Sequence, residues 1–188
     1  MTDTEANLLR ENTGTSGLEE TARKVASTLA DYDIPHWIVG GLAVQEHGYA
    51  RVTLDVDVVV PDVLEALEFL TADLSGPFVR VPNCEDRLND RRNGVKIDLL
   101  PAGRVLRVGC KVPFPQPTKV SDTPQIVCLE DLISLKLDSW SGSPLHRLKD
   151  KSDVVEIIKN RNLPRDLAVA PVILHLYLET WDGLQAER

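Results

Sequence analysis

The chain has 188 residues, 43% hydrophobic and 27% charged, which suits one domain with a buried core, or a domain with a helical appendage, rather than two independent ones. Its formal charge of −8 is uneven: residues 1–79 sum to −10 and residues 80–188 to +2. With a mean hydropathy of −0.13, a polar acidic start, and a longest apolar run (167–178) broken by Pro171 and His175, the composition predicts a cytoplasmic protein with no signal peptide and no membrane span.

The first fifteen residues show no hydrophobic period and are read as a flexible lead. Ser16 and Glu19 have capping-box spacing, and Leu18, Ala22, Val25 and Leu29 recur at helical intervals up to a turn at 31–35. A short apolar run, 36–39, stops at Gly40-Gly41 and hands over to a short helix from Leu42 that closes at Gly48. Residues 53–60 alternate as a strand, with Val56, Val58 and Val60 on one face and Asp55, Asp57 and Val59 on the other.

Pro61-Asp62 opens a helix over 63–74, and 78–81 reads as a strand. Asn93-Gly94 is a hairpin signal leading into a strand over 95–100 that carries Asp98 between Ile97 and Leu99. The Pro- and Gly-rich stretch 101–124 is predicted to be irregular, and helices follow over 129–140, 146–160 and 165–181. The expected architecture is therefore α/β of the α+β kind: a core over 16–124, with a mixed sheet flanked by helices, and a helical C-terminal region over 125–188 packed on it.

Two aspartates at i and i+2 of a strand share a face with Cα atoms roughly 6.5–7 Å apart, so both can reach one ion or ion pair. A charged group inside an otherwise apolar strand is costly unless it is paired or bound to metal, which singles out Asp98 in VKIDLL. A salt bridge to Lys96 or to an arginine nearby is the plainer reading of Asp98, and an exposed strand edge that of Asp55 and Asp57. Asp31-Tyr32-Asp33 has the same spacing as the strand pair but sits in a turn, so spacing alone decides nothing. Gly40 and Gly41, where a strand meets a helix, suit a phosphate seat built from backbone N–H groups, and equally a plain tight turn. Residues 80–111 hold Arg80, Arg87, Arg91, Arg92, Lys96, Arg104, Arg107 and Lys111 against four acids, an excess that suits an anionic substrate or a solvated hairpin. Cys84, Cys110 and Cys128, and the four histidines, lack the spacing of a disulfide framework or a zinc site.

The run Val39-Gly40-Gly41, a 13-residue gap and Asp55-Val56-Asp57 resemble the signature of the DNA polymerase β-like nucleotidyltransferase superfamily. The resemblance spans about residues 36–100, with one departure: Gly41 stands where many relatives carry serine. It implies a mixed nucleotidyltransferase-type sheet and a site in which Asp55, Asp57 and Asp98 hold Mg²⁺, two ions in the usual arrangement, with Mn²⁺ as a substitute. Asp98 would also activate an acceptor hydroxyl. Residues 129–140 and 147–158 are similar to the helical half of AbiEii-type and related bacterial nucleotidyltransferases, which assigns Lys136 and Asp150 to the nucleotide site. They also fit a solvent-facing lysine and ordinary helix pairing. Arg51 and Thr53 match an R-x-T-x-D-x-D form and add two nucleotide-site residues alongside Gly40 and Gly41.

The resemblance thus implies transfer of a nucleoside monophosphate from a nucleoside triphosphate to a hydroxyl on RNA or tRNA, a small molecule or a protein. An AbiEii-like toxin with an antitoxin protein as partner is one form of this. The alternative is a catalytically silent nucleotide-binding or protein-interaction module with the same fold.

Overall fold

The structure is a computed structural model that describes residues 15–105 and 107–186. The flexible lead expected over 1–15 lies, except for Thr15, outside the described residues, as does the Ser16 side chain of the proposed capping box.

Helix α1 (Thr15–Ala30) buries Leu18, Ala22, Val25 and Leu29, the four residues that recur with its period. Strand β1 (Trp37–Val39) runs directly into α2 (Gly40–Glu46), so this helix starts on the glycines themselves rather than at Leu42. Strand β2 (Asp55–Val60) starts two residues later than alternation suggested. Asp62 caps α3 (Val63–Leu70), its carboxylate accepting the N–H groups of Leu64 and Glu65 at 2.8 and 3.1 Å. This helix ends four residues short of the predicted Leu74. Asp73 there accepts both the N–H and the hydroxyl of Ser75, a local turn that competes with another helical turn and leaves Leu74 89% exposed.

Strands β3 (Phe78–Arg80), β4 (Arg87–Asp90) and β5 (Lys96–Pro101) complete a sheet of order β1-β2-β5-β4-β3 among the described residues. Only β2 and β5 run parallel; the other neighbours are antiparallel. Strand β4 has no counterpart among the predicted strands, because Arg-Leu-Asn-Asp carries a single apolar residue. Its Asp90 is buried by design of its partners, accepting from the Thr21 hydroxyl at 2.7 Å and from two nitrogens of Arg92 at 2.9 and 2.6 Å.

The two faces of the sheet carry separate cores. Val56, Val58, Val60, Ile97 and Leu99 pack under α1 and α3. Val39 and Val59 pack instead with the helical C-terminal half. That half is stitched to the sheet edge: Ile38 donates its N–H to Gln125 O, and Val127 donates back to Ile38 O at 3.0 Å. Helices α4 (Leu129–Gly142) and α5 (Leu148–Arg161) follow, the latter closed by Asn162 at φ 53°. The helix predicted from Arg165 begins only with a 3₁₀ turn (Pro171–Ile173) leading into α6 (Leu174–Ala186). Pro171 lacks an N–H and holds Ala170 extended at ψ 132°, so the preceding residues cannot join the helix. No helix among the described residues is long and apolar enough to cross a membrane.

His36 is fully buried beside the same seam, its Nε2 accepting the Gln125 N–H at 3.3 Å. Burial lowers its pKa to about 4. A base whose folded pKa is depressed stabilises the fold fully above its unfolded pKa, near 6.5, and loses that contribution as pH falls toward 4. His36→Gln, which keeps an acceptor but cannot charge, should therefore remove about 3 kcal/mol of the acid-induced loss between pH 7 and 4. Denaturant titrations of both proteins across that range measure the difference.

Candidate active site

The register of the parallel pair builds the site. Asp57 on β2 lies opposite Asp98 on β5, and Asp55 lies one pleat back on the same face. Because Val56, Val58, Ile97 and Leu99 face α1 and α3, the alternating acids face the helical half. One carboxylate oxygen from each of Asp55, Asp57 and Asp98 lies within 4.8 Å of the other two. Burial, then the charges of Asp55 and Asp98, push the Asp57 carboxyl up to about 6, while Lys136 and Arg107 pull the other way. Burial also raises Asp98, against the opposing pull of Arg87, whose Nε lies 2.8 Å away. Asp98 thus makes the arginine pair anticipated for a solitary strand acid and also belongs to the acidic trio. Three hard oxygen donors so close together form a donor set suited to Mg²⁺ or Mn²⁺.

The diglycine is fixed by close approach. Antiparallel pairing sets Val39 against Asp57, so Gly40 crosses directly over the Asp57 carboxylate. Gly40 adopts φ +64°, and a Cβ there would collide with Asp57 Oδ2. Both glycines line the cleft above the acids.

Arg51, Lys136 and Asp150 meet in a buried ion network that also includes Asp153. Lys136 Nζ lies 2.7 Å from Asp150 Oδ1 and 2.8 Å from Asp153 Oδ2. Arg51 Nε lies 2.8 Å from Asp153 Oδ1. Asp150 also accepts the Ser139 hydroxyl at 2.8 Å. Asp150 and Asp153, three apart on α5, share a face toward α4, and this explains how four charges sit at 11% side-chain exposure or less. Lys136 is therefore not the solvent-facing lysine that helix spacing also allowed. Thr53, 6% exposed, donates its hydroxyl to Asp55 Oδ1 at 2.8 Å.

The cleft holds about 490 Å³ and has an additional wall from the stretch predicted to be irregular. Asp138, on α4, reaches out of its helix to accept the N–H groups of Lys111 and Val112, both at 2.8 Å. Arg107 on this wall donates to the Ser139 hydroxyl at 2.9 Å, and Arg147 and Lys149 also line the cleft. Arg107 belongs to the basic excess over 80–111 that suited an anionic substrate; Asp138, Arg147 and Lys149 were not singled out, since tertiary packing alone brings them to the cleft. Of the basic excess over 80–111, Arg92 is engaged by Asp90 and Glu20 and Arg91 by the Leu74 carbonyl, whereas Arg87 lines the cleft beside Asp98.

Two substitutions separate packing from ligand duty. Lys136→Met leaves Asp150 and Asp153 without their shared cation and should lower unfolding free energy by about 3 kcal/mol or more in denaturant titrations. A lysine that served only to contact substrate would leave stability unchanged. Asp57 behaves oppositely: an acid with a raised pKa loses stability as pH climbs from its unfolded value through about 6. With chelator at pH 7.5, Asp57→Asn should melt above wild type, by on the order of 2 kcal/mol of added stability, in calorimetric scans.

No family model matches the chain, and comparison with curated proteins finds no match. Among solved structures it is similar to the solution structure of the antibiotic-resistance factor ANT(2'')-Ia, with a TM-score of 0.52 and 13% identity over 90% of this chain and 96% of that one. It is also similar to the crystal structure of ANT(2'')-Ia in complex with adenylyl-2''-tobramycin, with a TM-score of 0.52 and 12% identity over 88% and 97%. These likenesses establish a mixed α/β nucleotidyltransferase-like fold with a helical C-terminal half.

Proposed function

We propose that the protein transfers a nucleoside monophosphate from a nucleoside triphosphate to a hydroxyl acceptor, releasing pyrophosphate. The observation that carries the reading is the acidic trio: two acids from β2 and one from β5 converge within 4.8 Å at the floor of a cleft. The fold likeness to ANT(2'')-Ia supports it.

In this reading Asp55, Asp57 and Asp98 hold the divalent ions, which when bound supply charge neutralisation at the attacking and leaving oxygens of an in-line displacement. The chain's own groups do the rest. Gly40 and Gly41, whose side-chain space is taken by Asp57 and Thr53, line the cleft and would meet the triphosphate through backbone N–H groups alone. Asp98, the trio member nearest the β4 side, accepts the acceptor hydroxyl's proton; the raised affinity of its carboxyl for protons suits it to that task. Arg87 beside it offsets the second negative charge. Arg107, Arg147 and Lys149 neutralise phosphate on the helical side, while Lys136 and Arg51 hold Asp150 and Asp153 so that α5 stays against the acids.

For the acceptor we favour a small molecule over RNA. Of the basic residues in 80–111, Arg87, Arg91 and Arg92 are tied into local contacts rather than lined up as a phosphate-tracking groove. The complex of ANT(2'')-Ia with adenylyl-2''-tobramycin also supports a small hydroxylated acceptor.

The test is pyrophosphate release with Mg²⁺, each of the four ribonucleoside triphosphates, and panels of aminoglycosides and tRNA. Turnover is expected with at least one pair, and Asp55→Asn or Asp57→Asn should lower it at least a hundredfold with circular dichroism unchanged. Nucleotide binding by calorimetry without turnover on any acceptor would instead favour a silent module.

A further inference from the structure

Gly40 must be glycine because of its backbone; Gly41 has no such reason. Its φ is not in the left-handed region, so its conformation admits any side chain. What forbids one is space. A Cβ on Gly41 would collide with Thr53 Oγ1, lie 2.6 Å from Thr53 Cβ and reach within 3.1 Å of Arg51 Nη2. The hydroxyl that a serine at 41 would bring into this space is brought by Thr53 instead.

The segment leading to Thr53 is pinned at Arg51, through both its backbone and its side chain. The Gln45 side-chain amide donates to the Arg51 carbonyl, and the Arg51 guanidinium is held by Asp153 at 2.8 Å. From this fixed backbone the Thr53 hydroxyl donates to Asp55 Oδ1 at 2.8 Å. Asp55 stands beside two further carboxylates, whose repulsion would turn it outward were nothing holding it. A hydroxyl suits the task better than a cation would, since it orients the carboxylate without neutralising the charge that a metal ion needs.

We infer that Thr53 is the positioning residue of Asp55, and that Gly41 and Thr53 form a coupled pair in which threonine fills the side-chain space of residue 41 and aims the first acid. The inference rests on the nucleotidyl-transfer reading of the acidic trio.

The full chain tests it in two ways. Mn²⁺ titration followed by electron paramagnetic resonance should show Thr53→Val, of equal shape but without the hydroxyl, binding about tenfold more weakly or worse with an unchanged circular dichroism spectrum. Thr53→Ser should restore affinity to near the wild-type value. A stability cycle in chelator reads the pair without metal: Gly41→Ser alone should lower Tm, and Gly41→Ser with Thr53→Gly, which clears both the hydroxyl and the Cβ from that space, should lie above the sum of the two single changes. Wild-type Mn²⁺ affinity in Thr53→Val overturns the positioning role, and additive Tm losses overturn the coupling. Absence of Mn²⁺ binding in the wild type would instead overturn the functional reading itself, leaving the packing of the pair to the stability cycle alone.

Discussion

Three negative charges confined to one pocket are the constraint around which this molecule is arranged. The parallel pairing of β2 with β5 fixes Asp57 against Asp98, and the pleat adds Asp55 on the same face. Such a concentration opposes folding, as the raised pKa of Asp57 shows, so the surrounding structure must hold it rather than merely permit it. The apolar faces of the same strands do this: Val56, Val58, Ile97 and Leu99 are buried to 1% exposure or less under α1 and α3. Each of these side chains contributes on the order of 2 kcal/mol, and shifting either strand by one residue would turn its acids into that core. Register and chemistry are thus locked by one alternation.

The helical half answers the acids with its own balanced charges. Lys136 and Arg51 against Asp150 and Asp153 tie α4, α5 and the approach to β2 together at the cleft's inner wall. Buried pairs of this kind contribute little net stability compared with apolar packing, but they are intolerant of losing one member. Their value here is geometric: they set the distance between the cationic rim and the acidic floor.

What could be read from the chain beforehand follows from how local each feature is. The acids of β2 and β5 declared themselves because charge interrupted an apolar alternation, and Gly40 because a strand met a helix there. Strand β4 did not, since only Leu88 of its four residues is apolar and its pairing depends on β5 and on the Thr21 contact of Asp90. The late start of α6 follows from Pro171, a local signal that the apolar periodicity across 165–181 outweighed. Arg51 and Asp153 are 102 residues apart, so no pattern along the chain could show that they meet, and Lys136 read equally well as a surface residue until α5 was in place. Thr53 and Gly41 were both named from the sequence as candidate site residues, but their contact was not legible: a glycine required by a neighbour's side chain looks the same in a sequence as one required by a turn.

The wall anchored by Asp138 has an evolutionary corollary. The carboxylate grips backbone amides at 111 and 112, groups that every residue except proline supplies. Side chains on the preceding bend, Arg107 among them, can therefore be exchanged without releasing the grip, and the acidic floor does not change with them. Selection could retool what the cleft admits by rewriting a handful of codons in one exposed bend, with the β5 scaffold untouched.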